Sequence, residues 1–188
     1  MKKHVVAISG LPGSGKSSTA KGVARKMGYE HFSSGDFFRK IGQERGLSVE
    51  QTNLTAEKLK EIDLETDGYI RKIGEEKDNF VIDSRTAFHW IPNSFKVFLY
   101  LEPKIAAERV FAQIQREGRL NQTGSSVDEI CANTLQRTES EHKRYLNLYG
   151  IDLTNPANYN LFLDTSRNNL EEVIEIVATA YEKWLAAE

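Results

Sequence analysis

Gly10-Leu11-Pro12-Gly13-Ser14-Gly15-Lys16-Ser17 sets four residues between a first glycine and a Gly-Lys-Ser triplet, the Walker A spacing without a mismatch. The chemistry open to such a loop is phosphate binding. Its backbone N–H groups face an anion at a helix N-terminus, where unpaired donors and the helix dipole favour negative charge. Gly10, Gly13 and Gly15 let the backbone come close, Lys16 adds a point charge, and Ser17 can hold Mg²⁺. The flanking sequence supplies the expected context. His4-Val5-Val6-Ala7-Ile8 reads as a buried strand before the loop, and Ala20, Val23, Ala24 and Met27 mark one face of a helix after it.

A second set of residues fits a second phosphate. Phe80-Val81-Ile82-Asp83 is an apolar strand ending in an acid, the loose Walker B form, which makes Asp83 a candidate for supporting Mg²⁺. Arg85 follows two residues on, where a guanidinium can fork two phosphate oxygens. Arg39 lies in the helix after the second strand, and the pairs Arg109/Arg116 and Arg137/Arg144 each span seven residues. Seven residues is two helical turns, so each pair shares a face. Glu141 is also correctly spaced to pair with Arg137 as an ordinary solvated helix pair. Phosphoryl transfer relies on positioning and on cations around the moving group, which is what these arginines could provide.

These residues need a scaffold, and the pattern along the chain describes one. Strands are expected at His4–Ser9, Glu30–Ser33, Asn79–Asp83, Phe95–Leu101 and Tyr159–Asp164. Helices are expected at Gly15–Met27, Asp36–Arg45, a long polar stretch Ala56–Glu76, Pro103 to about Glu117, and Ser126 to Tyr149. Ser48 with Gln51 and Ser126 with Glu129 have the form of capping boxes. The last helix carries Leu170, Val173, Ile174, Val177, Tyr181 and Trp184 at core spacing. Strands interleaved with helices predict one α/β domain over 1–188, a parallel five-stranded sheet with helices on both faces. Ligands of such sheets lie at the carboxyl ends of the strands, so chemistry is expected just after residues 9, 33, 83 and 101.

The 188 residues carry a net charge of −2, which points to neither nucleic acid nor an anionic membrane as partner. One cysteine, Cys131, excludes an intrachain disulfide and reads as a small buried apolar residue. No apolar run approaches the ~20 residues of a membrane span and no signal segment precedes the first strand, so a soluble, cytoplasmic protein is expected. Small-molecule substrates are expected as its partners, and the sequence does not report the oligomeric state, a monomer being slightly favoured.

Taken together the residues resemble a nucleoside monophosphate kinase, most closely the archaeal-type cytidylate kinases. The similarity runs through the P-loop, through Ser33-Ser34-Gly35-Asp36-Phe37-Phe38-Arg39, through Glu61-Ile62-Asp63 with Asp67, and through Ser140-Glu141-His142-Lys143-Arg144-Tyr145 and Tyr149-Gly150-Ile151-Asp152. The resemblance implies a P-loop kinase-type fold with acceptor-binding helices at 34–78 and a lid at about 113–130. It implies ATP as phosphoryl donor with Mg²⁺, held by Gly10 and Gly13 to Ser18. Ser34, Arg39 and Arg85 would hold the acceptor phosphate. Lys16, Arg116, Arg137 and Arg144 would surround the transferring phosphoryl group, and Arg109 would lie near the ATP base or phosphates. Asp63 and Asp67 would contact the acceptor's base or sugar. Two departures stand out. Asp83-Ser84-Arg85 replaces an acid-Gly-Arg pattern, and the segment at 113–116 is about one turn longer than the family's, so either Arg116 or Arg119 takes the lid position. No general base is needed for an anionic acceptor, so no histidine is expected to be essential.

Other acceptors remain open at this stage: adenylate, shikimate, gluconate or dephospho-coenzyme A, or nucleotide binding without transfer. A GTP-dependent switch is disfavoured, because neither an Asn-Lys-x-Asp nor an Asp-x-x-Gly motif occurs.

Overall fold

The computed structural model describes residues 2–117 and 126–187, apart from the side chains at positions 50, 116 and 117. Five strands form one sheet: β1 (Val5–Gly10), β2 (Glu30–Ser33), β3 (Phe80–Asp83), β4 (Phe95–Tyr100) and β5 (Leu161–Asp164). The order is β2-β3-β1-β4-β5, and every pairing is parallel. All carboxyl ends therefore share one edge, and β1 occupies the centre.

The helices are α1 (Lys16–Met27), α2 (Ser34–Glu44), α3 (Val49–Lys58), α4 (Glu61–Glu76), α5 (Ala87–Trp90), α6 (Pro103–Glu117), α7 (Val127–Tyr149) and α8 (Leu170–Ala186). β1 is fully buried and its alternation divides the core. Val6 and Ile8 point to a layer with Val23 of α1 and Val173, Val177 and Tyr181 of α8. Val5 and Ala7 point to the opposite layer, with Ile70 and Ile73 of α4 and Ala87 of α5. Each buried valine or isoleucine among them contributes about 1.5–3 kcal/mol when taken from water. Two layers on one sheet fix the edge on which the loops gather. No helix among the described residues is long and apolar enough to cross a membrane.

The structure departs from the sequence expectation in a few places. The long helix expected over Ala56–Glu76 is two helices, because Leu59 is extended (φ −124°, ψ 115°) and ends α3. Leu59, expected on the apolar face, is 50 % exposed, while Ile62, Ile70 and Ile73 are buried. Leu170 is also exposed, at the first turn of α8. The four-residue α5 and a 3-10 turn at Pro156–Asn158 were not anticipated, and that turn moves the start of β5 from Tyr159 to Leu161. Cys131 is half-buried rather than buried. The Ser48/Gln51 capping box is formed in both directions, and Ser126 accepts from the Glu129 N–H.

Candidate functional site

The loop between β1 and α1 is shaped by its glycines. Gly10 has φ +149°, and a Cβ there would stand 2.3 Å from the Leu99 carbonyl oxygen on β4. Gly13 has φ +78° and packs its Cα against Ala106 of α6, where a Cβ would lie 3.0 Å from the alanine Cβ. Gly15 is left-handed (φ 86°) and leaves the first turn of α1 without a side-chain cap. The N–H groups of that turn face outward from the helix start, and Ser17 and Ser18 beside them are exposed. Ser14 Oγ is buried and has no hydrogen-bond partner among the described residues. A buried hydroxyl without a partner is costly, and an anion in the loop would satisfy it.

Lys16 folds back over the loop and donates to the Leu11 carbonyl at 2.9 Å. It is half-buried rather than facing solvent. Burial and the nearby Arg85 guanidinium bring its pKa down to about 7, against the opposing pull of Glu141 and Asp83.

The acceptor side grows from β2 and β3. Ser33 caps α2 by accepting from the Asp36 N–H, while its hydroxyl donates to Asp83 Oδ1 at 2.9 Å. The other Asp83 oxygen meets His31 Nε2 at 3.0 Å, and the carboxylate is 5 % exposed. Asp83 thus stands at the strand end as expected, with both oxygens steadied from β2. The structure thereby gives His31 a contact the sequence did not suggest. Ser34 Oγ donates to the Asp83 carbonyl. Ser84, in place of a glycine, is buried and accepts from the N–H groups of Thr86 and Ala87, which starts α5 and leaves Arg85 pointing into the cleft. Ser9 Oγ donates to the Ser84 carbonyl at 2.6 Å and ties this turn to the P-loop strand.

The cleft, about 510 Å³ and open to solvent, lies between α2, α3, α4, the Ser84–Thr86 turn and α7. Ser34, Arg39, Asp63, Arg85, Arg137 and Arg144 all line it. Arg39 is held by Asp36 one turn before it. Arg85 and Arg137 converge on opposite oxygens of Glu141, Arg137 through Nε at 2.9 Å. Glu141 is 4 % exposed, so this pairing belongs to the cleft floor and not to a solvated helix face. Burial alone would push the Glu141 carboxyl up; Arg85 and Arg137 outweigh it and the net shift is down. In the sequence Glu141 had no site role, standing only as a helix partner of Arg137 and within the 140–145 stretch that carries the resemblance. Its spacing between Arg137 and Arg144 was the available signal.

Asp63 is 1 % exposed; it accepts from Arg144 Nε at 2.9 Å and from the Tyr145 hydroxyl at 3.4 Å. Burial raises its pKa against the pull of Arg144. Asp67 is fully buried, does not line the cleft, and accepts from Thr86 Oγ1 at 2.7 Å and the Tyr149 hydroxyl at 2.8 Å. It joins α4 to the β3–α5 turn and α7. His89 and Trp90 pack against Tyr149, with Arg71 over the Trp90 ring, away from the cleft. Arg109 donates to the carbonyls of Thr165 and Ser166 after β5, on the far side of the P-loop from the cleft. The Arg116 side chain, Arg119 and residues 118–125 of the expected lid lie outside the described residues. Among the described residues no three His, Cys, Asp or Glu side chains converge as a metal cage.

A parallel sheet with a Walker A loop at its central strand and an arginine-lined cleft beside it defines a P-loop kinase. Two solved structures share the architecture at low identity: a shikimate kinase from Bacteroides thetaiotaomicron and a gluconokinase from Sinorhizobium meliloti. The first has TM-score 0.60 at 17% identity, covering 97% of this chain and 98% of that one. The second has TM-score 0.61 at 13% identity, covering 100% of both. Residues 9–119 match the protein family described as an AAA domain. Curated relatives are much nearer. A cytidylate kinase of Pyrococcus abyssi is 37% identical over 185 residues, 95% of this chain and 96% of the relative. One of Methanosarcina acetivorans is 32% identical, over 97% and 99% of the two chains. The chain belongs to the cytidylate kinase family.

Proposed function

We propose that this chain transfers the γ-phosphoryl group of ATP to the phosphate of a pyrimidine nucleoside monophosphate, CMP or dCMP. The observation that carries the reading is the convergence of Arg85, Arg137 and Arg144 between the P-loop and a cleft that also holds Ser34 and Arg39. The cationic floor gives the acceptor's own phosphate a place next to the donor's, which an uncharged acceptor does not require. The curated relatives, cytidylate kinases over nearly the whole chain, support the base assignment.

In this reading the glycine loop and Ser14 take the ATP phosphates, and Lys16 swings from the Leu11 carbonyl onto them. Arg85 and Arg39 fork the acceptor phosphate, with Ser34 beside them. Glu141 holds Arg85 and Arg137 at a fixed spacing, so the two phosphates meet in line. An acceptor oxygen forms a bond to the γ-phosphorus as the bond to the β–γ bridging oxygen breaks, leaving ADP. Ser17 and Asp83 would hold Mg²⁺ with the phosphates, where it neutralises charge on the β- and γ-oxygens. Arg137 and Arg144, with Arg116 or Arg119 from the lid, stabilise charge on the moving group. Asp63 reaches the acceptor through Arg144, and Arg109 lies at the donor's side.

The test is ADP release from MgATP with CMP, dCMP, UMP, AMP, GMP, shikimate or no acceptor. CMP or dCMP should dominate. Turnover with AMP alone would reject the base assignment, and turnover with shikimate alone would reject the acceptor-phosphate reading.

A further inference from the structure

Asp67 carries a carboxyl group that the proposed reaction does not use. It lies on α4, 0 % exposed. Its Oδ1 accepts from Thr86 Oγ1 at 2.7 Å and its Oδ2 from the Tyr149 hydroxyl at 2.8 Å. A carboxyl group enclosed in this way is costly, and burial holds its pKa above the ordinary aspartate value against the pull of the two hydroxyls. Packing alone would be served at less cost by an apolar side chain. Both donors belong to segments that hold Arg85. Thr86 is the next residue in the chain. It stands at the N-cap of α5, yet its side chain makes no cap bond there. Ser84 Oγ accepts from the Thr86 and Ala87 N–H groups instead, and the Thr86 hydroxyl turns to α4. Tyr149 ends α7, just over two turns beyond Glu141, the residue paired with the Arg85 guanidinium. The contacts close a ring: from Arg85 to Thr86, Asp67 and Tyr149, along α7 to Glu141, and back to Arg85. The backbone of Arg85 is thereby tied through α4 to the helix that holds its side chain.

We infer that Asp67 is a positioning residue, which through Thr86 and Tyr149 fixes where the Arg85 guanidinium stands in the acceptor cleft. The inference rests on the proposed reading of Arg85 as the clamp on the acceptor phosphate, and adds what sets the clamp. A guanidinium forks two phosphate oxygens only when its plane and its distance are both right. Glu141 fixes the outer end of the side chain. The inner end is the backbone at 84–86, which Ser9 holds from the sheet and Asp67 from α4. Thr86 lines the cleft beside Arg85, whereas neither Asp67 nor Tyr149 does, so those two reach an acceptor only through the residues they hold. A clamp displaced by about 1 Å loses its alignment with the acceptor, while the P-loop keeps its hold on ATP.

The experiment is a double-mutant cycle between this ring and Arg85, read as KM for CMP and KM for ATP. A KM does not depend on how much of the enzyme is folded, so a less stable variant still gives an answer. Thr86→Val, of the same shape without the hydroxyl, should raise KM for CMP about tenfold, the scale of one weakened charge-assisted hydrogen bond, and move KM for ATP less than about twofold. Tyr149→Phe, outside the cleft, should move the two constants in the same sense. Thr86→Ser keeps the donor and should stay near the wild type. In an Arg85→Ala background, where the clamp is gone, Thr86→Val and Tyr149→Phe should each add less than about twofold. An equal rise of KM for both substrates would overturn the inference, and the ring would then hold only the fold. The same loss with and without Arg85 would overturn it too, because Thr86 would then touch the acceptor itself. Should AMP prove the acceptor, the cycle is read with AMP. A wild type that phosphorylates no nucleoside monophosphate fails the acceptor reading itself and takes this inference with it.

Discussion

Lys16 sits where burial and the Arg85 guanidinium both oppose its charge, and its pKa of about 7 is a consequence that can be measured. Below pH 7 the free protein holds the ammonium; between that value and the ordinary lysine range near 10.5 the folded chain binds fewer protons than the unfolded one. Through this window the group makes folding more favourable as pH rises. A polyphosphate in the loop brings opposite charge and moves the pKa back up, so nucleotide binding takes up a proton. Calorimetry at pH 8 in buffers of different ionisation enthalpy should give an uptake of about 0.9 proton, and about 0.1 at pH 6. Lys16→Arg keeps the charge with no proton to gain, and its uptake should vanish at pH 8. An equal slope in both proteins would mean the proton comes from elsewhere. Much of this site was legible in residue types: the P-loop, Asp83, Arg39, Arg85, Arg137, Arg144 and Asp63 all come to one edge of the sheet. Glu141 was not legible as a site residue, because an Arg–Glu pair at i,i+4 looks the same on a solvated helix as in a buried cleft. Asp67 was read with Asp63 from the same helix, yet one turn further on it is enclosed by Thr86 and Tyr149.

At the scale of elements, the P-loop depends on how closely β1 and β4 run where they end. Gly10 pairs with Leu99 in the ladder, and the Leu11 N–H reaches the Leu99 carbonyl at 3.3 Å. A methyl group at Gly10 meets that backbone oxygen, which cannot rotate away as a side chain can. Gly10→Ala should therefore cost about 2–3 kcal/mol, through strain at positive φ and separation of two central strands. Gly28→Ala, also at positive φ but with open space around the would-be Cβ, should cost about 1 kcal/mol. Urea unfolding of the two variants checks the order, and a larger loss at Gly28 would contradict the packing argument. The strands were readable to within two residues; β1 and β3 are buried along their whole length, and residues 80–82 of β3 and 5–8 of β1 read as uninterrupted apolar runs. The break between α3 and α4 was not. Glu57-Lys58-Leu59-Lys60-Glu61 contains no glycine or proline and has good helix propensity throughout. What ends α3 is tertiary: Ile62 is drawn into a cluster with Ile41 and Ala56, and the chain turns at Leu59 to deliver it. Nor does alternation of strands and helices reveal the order β2-β3-β1-β4-β5, which depends on which faces the helices cover.

Across the molecule, a chain with net charge −2 concentrates positive charge at one edge of its sheet. Lys16, Arg85, Arg137 and Arg144 crowd around Glu141, and Asp63 is already committed to Arg144. Burial lowers the Arg85 pKa against the pull of Glu141, so the folded chain bears an electrostatic cost here that an anion relieves. Bound nucleotide should then stabilise the whole fold, since β1, β3, α1 and α7 all contribute to the site. At a hundred times its Kd a ligand specific to the folded state adds about 2.7 kcal/mol. For a domain of this size that raises Tm by about 5–10 °C. A non-hydrolysable ATP analogue should produce that shift, inorganic phosphate a smaller one, and sodium chloride at matched ionic strength almost none. Arg137→Ala lightens the crowding on the ATP side and should shrink the phosphate effect while leaving the chloride response alone. If chloride raised Tm as far as phosphate, the stabilisation would be general screening of like charges, and the edge of the sheet would hold no built anion site.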